Sequence, residues 1–197
     1  MTLAGARRGL GGSWNSEGVI VFAPDVTGLV QISAKGGTPT PVAERHGTGI
    51  SAGPWFLPDG RHFLFIDLGE LASVNGVLRV GSLDSSEVRT LGPADSRPEY
   101  GSGRVLFLRG STLIAQPFDA RRLEATSEIV PVAESVNSFS VSRDGSLAYQ
   151  MGGRPLDGVV SLWMTCSWVC LALQQPSSLR GRLGRHHCRQ SHAGRRQ

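Results

Sequence analysis

The sequence predicts an all-β chain folded as an incomplete β-propeller: three four-stranded blades, the opening strands of a fourth, and an irregular tail. Three observations predict it. First, "SWNSEGVIVFA", "WFLPDGRHFLFI", "EYGSGRVLFL" and "FSVSRDGSLAYQ" are variants of one phrase. Their glycines, Gly18, Gly60, Gly103 and Gly145, are separated by 42, 43 and 42 residues. A period near forty, carrying a turn signal and short apolar runs, marks propeller blades. Second, 26 glycines and 11 prolines in 197 residues imply many turns and short strands. Third, no stretch longer than a few residues shows apolar spacing of three and four, so helices are not expected.

Each unit then reads in order. A large apolar residue (Trp14, Phe56, Tyr100, Val141) precedes each repeat glycine, and an aromatic (Phe22, Phe65, Phe107, Tyr149) follows it at four or five positions. Glu-Gly, Asp59-Gly60, Ser-Gly and Asp144-Gly145 supply residues that tolerate positive φ, as a tight hairpin requires. The runs "VIVF", "HFLFI" and "RVLFL" are continuously apolar, which predicts strands covered on both faces, as in stacked blades. A second hairpin follows in "GLVQISAKGGTPTPV", "NGVLRVGSLDSSEVRTLG" and "STLIAQPFDARRLEATSEIVPV", completing four strands per unit. The competing all-β reading is a sandwich with accidental spacing.

The chain divides into a leader (1–10), blades (11–157) and a tail (158–197). Its formal charge of +4 is uneven. Six of the 20 basic residues lie after residue 157 and no acidic residue does, so the first 157 carry 14 basic against 16 acidic groups, a net of −2. A body of that charge is not a nucleic-acid binder. The tail also holds all three cysteines (Cys166, Cys170, Cys188) and three of the five histidines, and Lys35 is the chain's one lysine. Such arginine usage suggests a GC-rich gene, and out-of-frame reading of such DNA gives this mixture. The tail is therefore expected to be unrelated to the propeller, frame-shifted or disordered. The leader has arginines but no apolar run of the length a secretory signal needs, so no export signal is expected.

Several constellations invite a chemical reading and are better explained otherwise. Gly49-Ile50-Ser51-Ala52-Gly53 fits the nucleophile elbow of a serine hydrolase, but "PVAERHGT" before it and "PWFLPDG" after it offer neither strand nor helix, and nearby His46 does not make a triad. A loop is expected there. Cys166, Cys170, His186, His187, Cys188 and His192 do not match a common zinc spacing. The apolar run in 158–179 has 15 residues before Gln174, short of the roughly 20 that span a bilayer. Asp59, Asp84, Asp119 and Asp144 sit at turns, where Asp bonds the local backbone, and Arg121 and Arg122 read as a solvated hairpin. No phosphate loop and no kinase motif is present, so no catalytic residue, cofactor or metal site is expected.

"FLPDGRHFLF", "VGSLDSSEVRTL", "AQPFDARRLEATSEIVPVAE" and "FSVSRDGSLAYQ" resemble the TolB-like, WD-repeat-like propellers, over about residues 11–154. They are most similar to the versions that follow a serine/threonine kinase domain and a membrane span in some bacterial proteins. The resemblance implies a non-catalytic propeller that binds proteins or senses ligands, usually outside the cytoplasm, with six or more blades when complete. It also implies an alternative, the regulatory propeller of a kinase or of a peptidase. A protein partner is expected, a membrane only through another part of a longer protein. Three blades and part of a fourth leave a blade face bare at each end, so self-association through both faces is expected as well.

Overall fold

The computed structural model describes residues 2–26, 28–44, 49–69, 76–126, 128–142, 144–152 and 160–163. All of its regular elements are strands, arranged in four antiparallel sheets whose strands follow chain order. The first sheet comprises β1 (Gly12–Trp14), β2 (Val19–Phe22), β3 (Gly28–Ser33) and β4 (Thr40–Glu44). The second comprises β5 (Ile50–Phe56), β6 (His62–Leu68), β7 (Gly76–Ser82) and β8 (Arg89–Ala94). The third comprises β9 (Glu99–Gly101), β10 (Arg104–Arg109), β11 (Thr112–Asp119), β12 (Glu124–Ala125) and β13 (Val130–Ala133). The fourth holds β14 (Val136–Val141), β15 (Leu147–Met151) and β16 (Val160–Trp163).

These are three blades and the beginning of a fourth. The first strands β1, β5, β9 and β14 lie side by side in that order and define the axis. The third blade departs from the simple meander because its outer strand is split. β12 pairs with β11 opposite Phe118 and Asp119, and β13 pairs with the same strand opposite Leu113–Ala115. β16 pairs with β15 from Leu147↔Trp163 to Gln150↔Val160, so the backbone of the fourth sheet extends past residue 157, where the composition changes.

Blade stacking explains the continuous apolar runs. Val21, Ala23, Leu29 and Val42 of the first blade meet Phe56, Phe63 and Phe65 of the second. The opposite face of the second blade, with Leu64, Ile66, Leu78 and Val80, meets Val105, Phe107, Ile114 and Phe118 of the third. Leu106, Leu108, Leu113 and Ala115 in turn meet Val141, Leu147 and Tyr149 of the fourth. β6 and β10 are thus buried on both faces, whereas β2 buries only Val21 fully. Fully burying one such side chain stabilises by about 1.5–3 kcal/mol, so these three interfaces are the core.

The two end faces of the stack are set by the strand pairs of the first and fourth sheets. The far face of the first blade carries Trp14, Ile20, Phe22, Val30 and the buried Ile32, set there by the pairs Trp14↔Ile20, Ile20↔Ile32 and Phe22↔Val30, and the pair Gly28↔Glu44 puts an acidic position on it. The far face of the fourth includes the positions of Ser138, Ser140, Ala148 and Gln150, through Ser138↔Gln150 and Ser140↔Ala148, and those of Leu162 and Val160, through Ala148↔Leu162 and Gln150↔Val160. Alternation in β14 and β15 sends their large apolar residues to the third blade and leaves small and polar ones outside. The leader is also built in. Arg8 and Leu10 donate their N–H groups to Pro24 and Ala23 at 3.1 Å each, and the Leu10 carbonyl accepts from Gly53 N–H at 2.8 Å. It therefore ties the end of β2 to β5.

Candidate interaction surface

The four repeat glycines lie in the turns between the first and second strands of their blades. Their φ values are 80° at Gly18, 69° at Gly60, 76° at Gly103 and 89° at Gly145, a region that L side chains rarely enter. Local side chains brace the turns of Gly18, Gly60 and Gly145. Asn15 Oδ1 accepts from the N–H groups of Glu17 (3.1 Å) and Val19 (2.8 Å). Asp59 Oδ1 accepts from Arg61 and His62 N–H at 3.0 Å each, while its Oδ2 lies 2.5 Å from His62 Nδ1. Asp144 Oδ1 accepts from Ser142 Oγ and from Ser146 N–H.

The electrostatics follow from those bonds. Partial burial works against the charge on Asp59, but the His62 ring and the two backbone donors outweigh it and hold its pKa below the ordinary value. The Ser142 hydroxyl, then Ser146 N–H, does the same for Asp144. Asp119, at the end of β11, is lowered by the N–H groups of Arg121 and Arg122. Asp84 receives the Arg61 guanidinium at 2.8 Å. Asp59, Asp119 and Asp144 are thus engaged with their own turns, Asp84 with Arg61 of another turn in the same blade, and Arg122 turns toward Asp119 at 3.9 Å.

Neighbouring turns are also fastened to one another. Asn15 Nδ2 donates to the Gly60 carbonyl at 2.7 Å, and Phe56 N–H donates to Ser13 Oγ at 3.0 Å. Between the third and fourth blades, Ser102 Oγ donates to the Asp144 carbonyl at 3.2 Å, and Val141 N–H donates to Glu99 Oε2 at 2.6 Å. Glu99 is 1% exposed, and burial raises its pKa despite the Val141 N–H and the Arg97 charge. The result is one end of the stack where consecutive turns stand in fixed register and present exposed Ser16, Glu17, Pro58, Asp59, Ser102 and Asp144. Asn15 and Glu99 escape a reading of the repeat because no other blade carries the same residue at these positions, and Ser13 recurs only as Ser140.

The hydrolase-like stretch takes a different role from the loop expected for it. Ser51 lies inside strand β5 and is fully buried. Its Oγ donates to Asp67 Oδ1 at 2.5 Å, Asp67 Oδ2 pairs with Arg79 Nε, and Arg79 donates on to Thr90 Oγ1 at 3.0 Å. This polar row crosses all four strands of the second blade. A serine inside a covered strand does not have the exposed strand-to-helix turn of a nucleophile elbow. His46 lies outside the described residues, as do Cys166, Cys170, His186, His187, Cys188, His192 and most of 158–179. Among the described residues no three or more His, Cys, Asp or Glu side chains gather as a metal-binding group. Among them, too, no helix is long and apolar enough to cross a membrane.

No family model matches the sequence, and no curated protein matches it. Solved structures do. TolB from Acinetobacter baumannii is 15% identical with a TM-score of 0.56, over 78% of this chain and 42% of that one. The β-propeller domain of the trilobed protease from Pyrococcus furiosus, described as having an open velcro topology, is 14% identical with a TM-score of 0.52, over 79% and 54%. An oligogalacturonate lyase in complex with manganese is 13% identical with a TM-score of 0.55, over 75% and 44%. The chain thus spans about half the length of the structures it matches. At such identities the likeness concerns the fold, and some of these propellers are enzymes while others are not. The described residues form a TolB-like β-propeller fold, with three blades and the beginning of a fourth.

Proposed function

We propose that this chain is a non-catalytic propeller module that binds a protein partner or senses a ligand across the end formed by the repeat turns. The observation that carries the reading is the fastening of turn to turn, through Asn15 to Gly60 and Ser102 to Asp144. Exposed polar groups held in fixed register on a rigid scaffold bind with little ordering cost, and such a surface spans several blades at once. A second reading, favoured by the likeness to a protease's propeller domain, makes this chain the propeller portion of a longer enzyme.

The test compares three immobilised proteins in lysate of the source organism: the full chain, a Ser16→Arg/Pro58→Arg variant at the turn end, and a Glu134→Lys variant at the opposite end. A protein retained by the first and third and lost by the second supports the proposal. Retention indifferent to the turn-end substitutions, with the β-type circular dichroism signal intact in all three, overturns it.

A further inference from the structure

Two junctions between blades are tied through the same backbone group by side chains of different chemistry. Ser13 and Glu99 each lie on the first strand of a blade and reach to the next one, opposite Val21 and Leu106. Each accepts from the N–H of the last residue in the next blade's first strand, Phe56 at 3.0 Å and Val141 at 2.6 Å. Ser13 does so with a neutral hydroxyl, Glu99 with a group that titrates. Trp55, opposite Leu64, holds this place in the second blade. Glu99 is also shut in. It is 1% exposed, and Arg97 Nη2 stands 3.6 Å away, beyond hydrogen-bond reach, on a side chain that is 62% exposed.

We propose that the junction between the third and fourth blades is a proton-operated clasp, which holds the fourth sheet while Glu99 is neutral and loosens when it ionises. A carboxylic acid still accepts from the Val141 N–H at little desolvation cost, whereas a buried carboxylate needs several donors or a bonded cation. Here the donors are one backbone N–H and the Ser140 hydroxyl, and the cation is out of bonding range. Arg104, opposite Gly101 on β10, and Tyr149, opposite Phe139 on β15, also face this interface, while β5 brings Trp55 and β14 brings Val136, Phe139 and Val141. Of the charged groups, Arg97 is the one that favours ionised Glu99. Burial nevertheless holds the Glu99 carboxyl above its ordinary 4.5, with Val141 N–H, Arg97 and Ser140 offsetting it only in part. Undocking returns the group to water and to that ordinary value. Below pH 4.5 both forms are protonated and the clasp is closed. Above it the undocked form ionises first, so opening grows with pH, by at most about tenfold per unit for one proton, until the raised value is passed. Opening also parts the Asp144 carbonyl from Ser102, so the turn surface loses its fourth member as pH rises; that consequence rests on the proposed function, and the clasp itself does not.

Hydrogen exchange followed by mass spectrometry tests this on the full chain across a series of pH values from acid to neutral. Within each sample the exchange of the β14 and β15 amides is divided by that of β6 and β7, which cancels the chemical effect of pH on exchange. The expected result is a ratio that rises from about pH 4.5 upward, by at least about threefold in total, and stays flat in Glu99→Gln. Glu99→Ser, which copies the hydroxyl of Ser13, takes the place of the Gln variant if that one does not fold. A wild-type ratio that falls or stays flat overturns the proposal, and exchange that grows equally in β6 and β7 is such a case, because it assigns the proton to the whole propeller. A rise that persists in the variant overturns it as well. No partner is present in the measurement, so failure of the clasp and failure of the binding proposal are separate results.

Discussion

Asn15 of the first blade donates its side-chain amide to the carbonyl oxygen of Gly60, 45 residues away, at 2.7 Å. The same side chain accepts from the N–H groups of Glu17 and Val19, so one buried residue both closes its own turn and fastens the next. Asn15→Asp keeps the acceptor and loses the donor, whereas Asn15→Ala loses both. The alanine variant leaves the Glu17 and Val19 N–H groups and the Gly60 carbonyl without this partner and should lower the unfolding free energy by about 2 kcal/mol. The aspartate variant should lose less, about 1 kcal/mol. Urea titration followed by circular dichroism checks the order, and equal losses would mean that the link to Gly60 contributes nothing.

Gly60 and Gly145 occupy φ values of 69° and 89° in turns already braced by Asp59 and Asp144. A β-branched side chain is strained there, so Gly60→Val and Gly145→Val should each lower stability by about 1–2 kcal/mol. Ala at Gly5, whose φ is not positive and around which there is open space, should cost little by comparison. Unfolding midpoints unmoved in both valine variants would contradict the strain.

The propeller was legible because each blade repeats a phrase whose glycine needs positive φ and whose aromatics need a neighbouring sheet. Period and chemistry coincide at Gly60, Phe56 and Phe65. The blade-to-blade links were not legible for a physical reason. Ser13, Glu99 and Ser102 perform one task, tying a first strand or turn to the next blade, from different positions and in different roles, since Ser13 and Glu99 accept and Ser102 donates, and a hydrogen bond needs only a donor and an acceptor in reach. Ser51 was hidden differently. Its flanking glycines imitate an exposed elbow, and only the pairing Ser51↔Asp67 reveals a strand interior.

Glu99 should leave a signature in the pH dependence of stability. Its pKa is raised above the usual 4.5, chiefly by burial, with Val141 N–H, Arg97 and Ser140 opposing. The folded state therefore holds this proton more tightly than the unfolded chain. Its contribution is greatest below pH 4.5 and is lost as pH rises through the raised value. The Glu99→Gln variant keeps an acceptor for Val141 N–H and lacks that loss. Asp59 and Asp144, with lowered pKa values, act in the opposite sense in both proteins and cancel from the comparison. Urea titrations at a series of pH values should show the stability of the Gln variant gaining on wild type from about pH 4.5 upward. A gap that narrows with rising pH would show that the ionised carboxylate is the better partner.

The row Ser51, Asp67, Arg79 and Thr90 should behave as a unit. Asp67 is 6% exposed and its two oxygens are divided between Ser51 Oγ and Arg79 Nε. Removing the carboxylate alone strands a guanidinium against Phe65, the residue that Arg79 faces across β6 and β7. A charge left without its partner in a largely covered site costs about 3–5 kcal/mol, so Asp67→Ala should be among the most damaging single changes in the second blade. Replacing both partners removes two buried charges together. An Asp67→Leu/Arg79→Met double variant should therefore be more stable than Asp67→Ala, with a coupling between the two sites of about 1–3 kcal/mol. A double-mutant cycle in urea measures that coupling, and simple additivity of the two single losses would mean the ion pair is incidental to the blade.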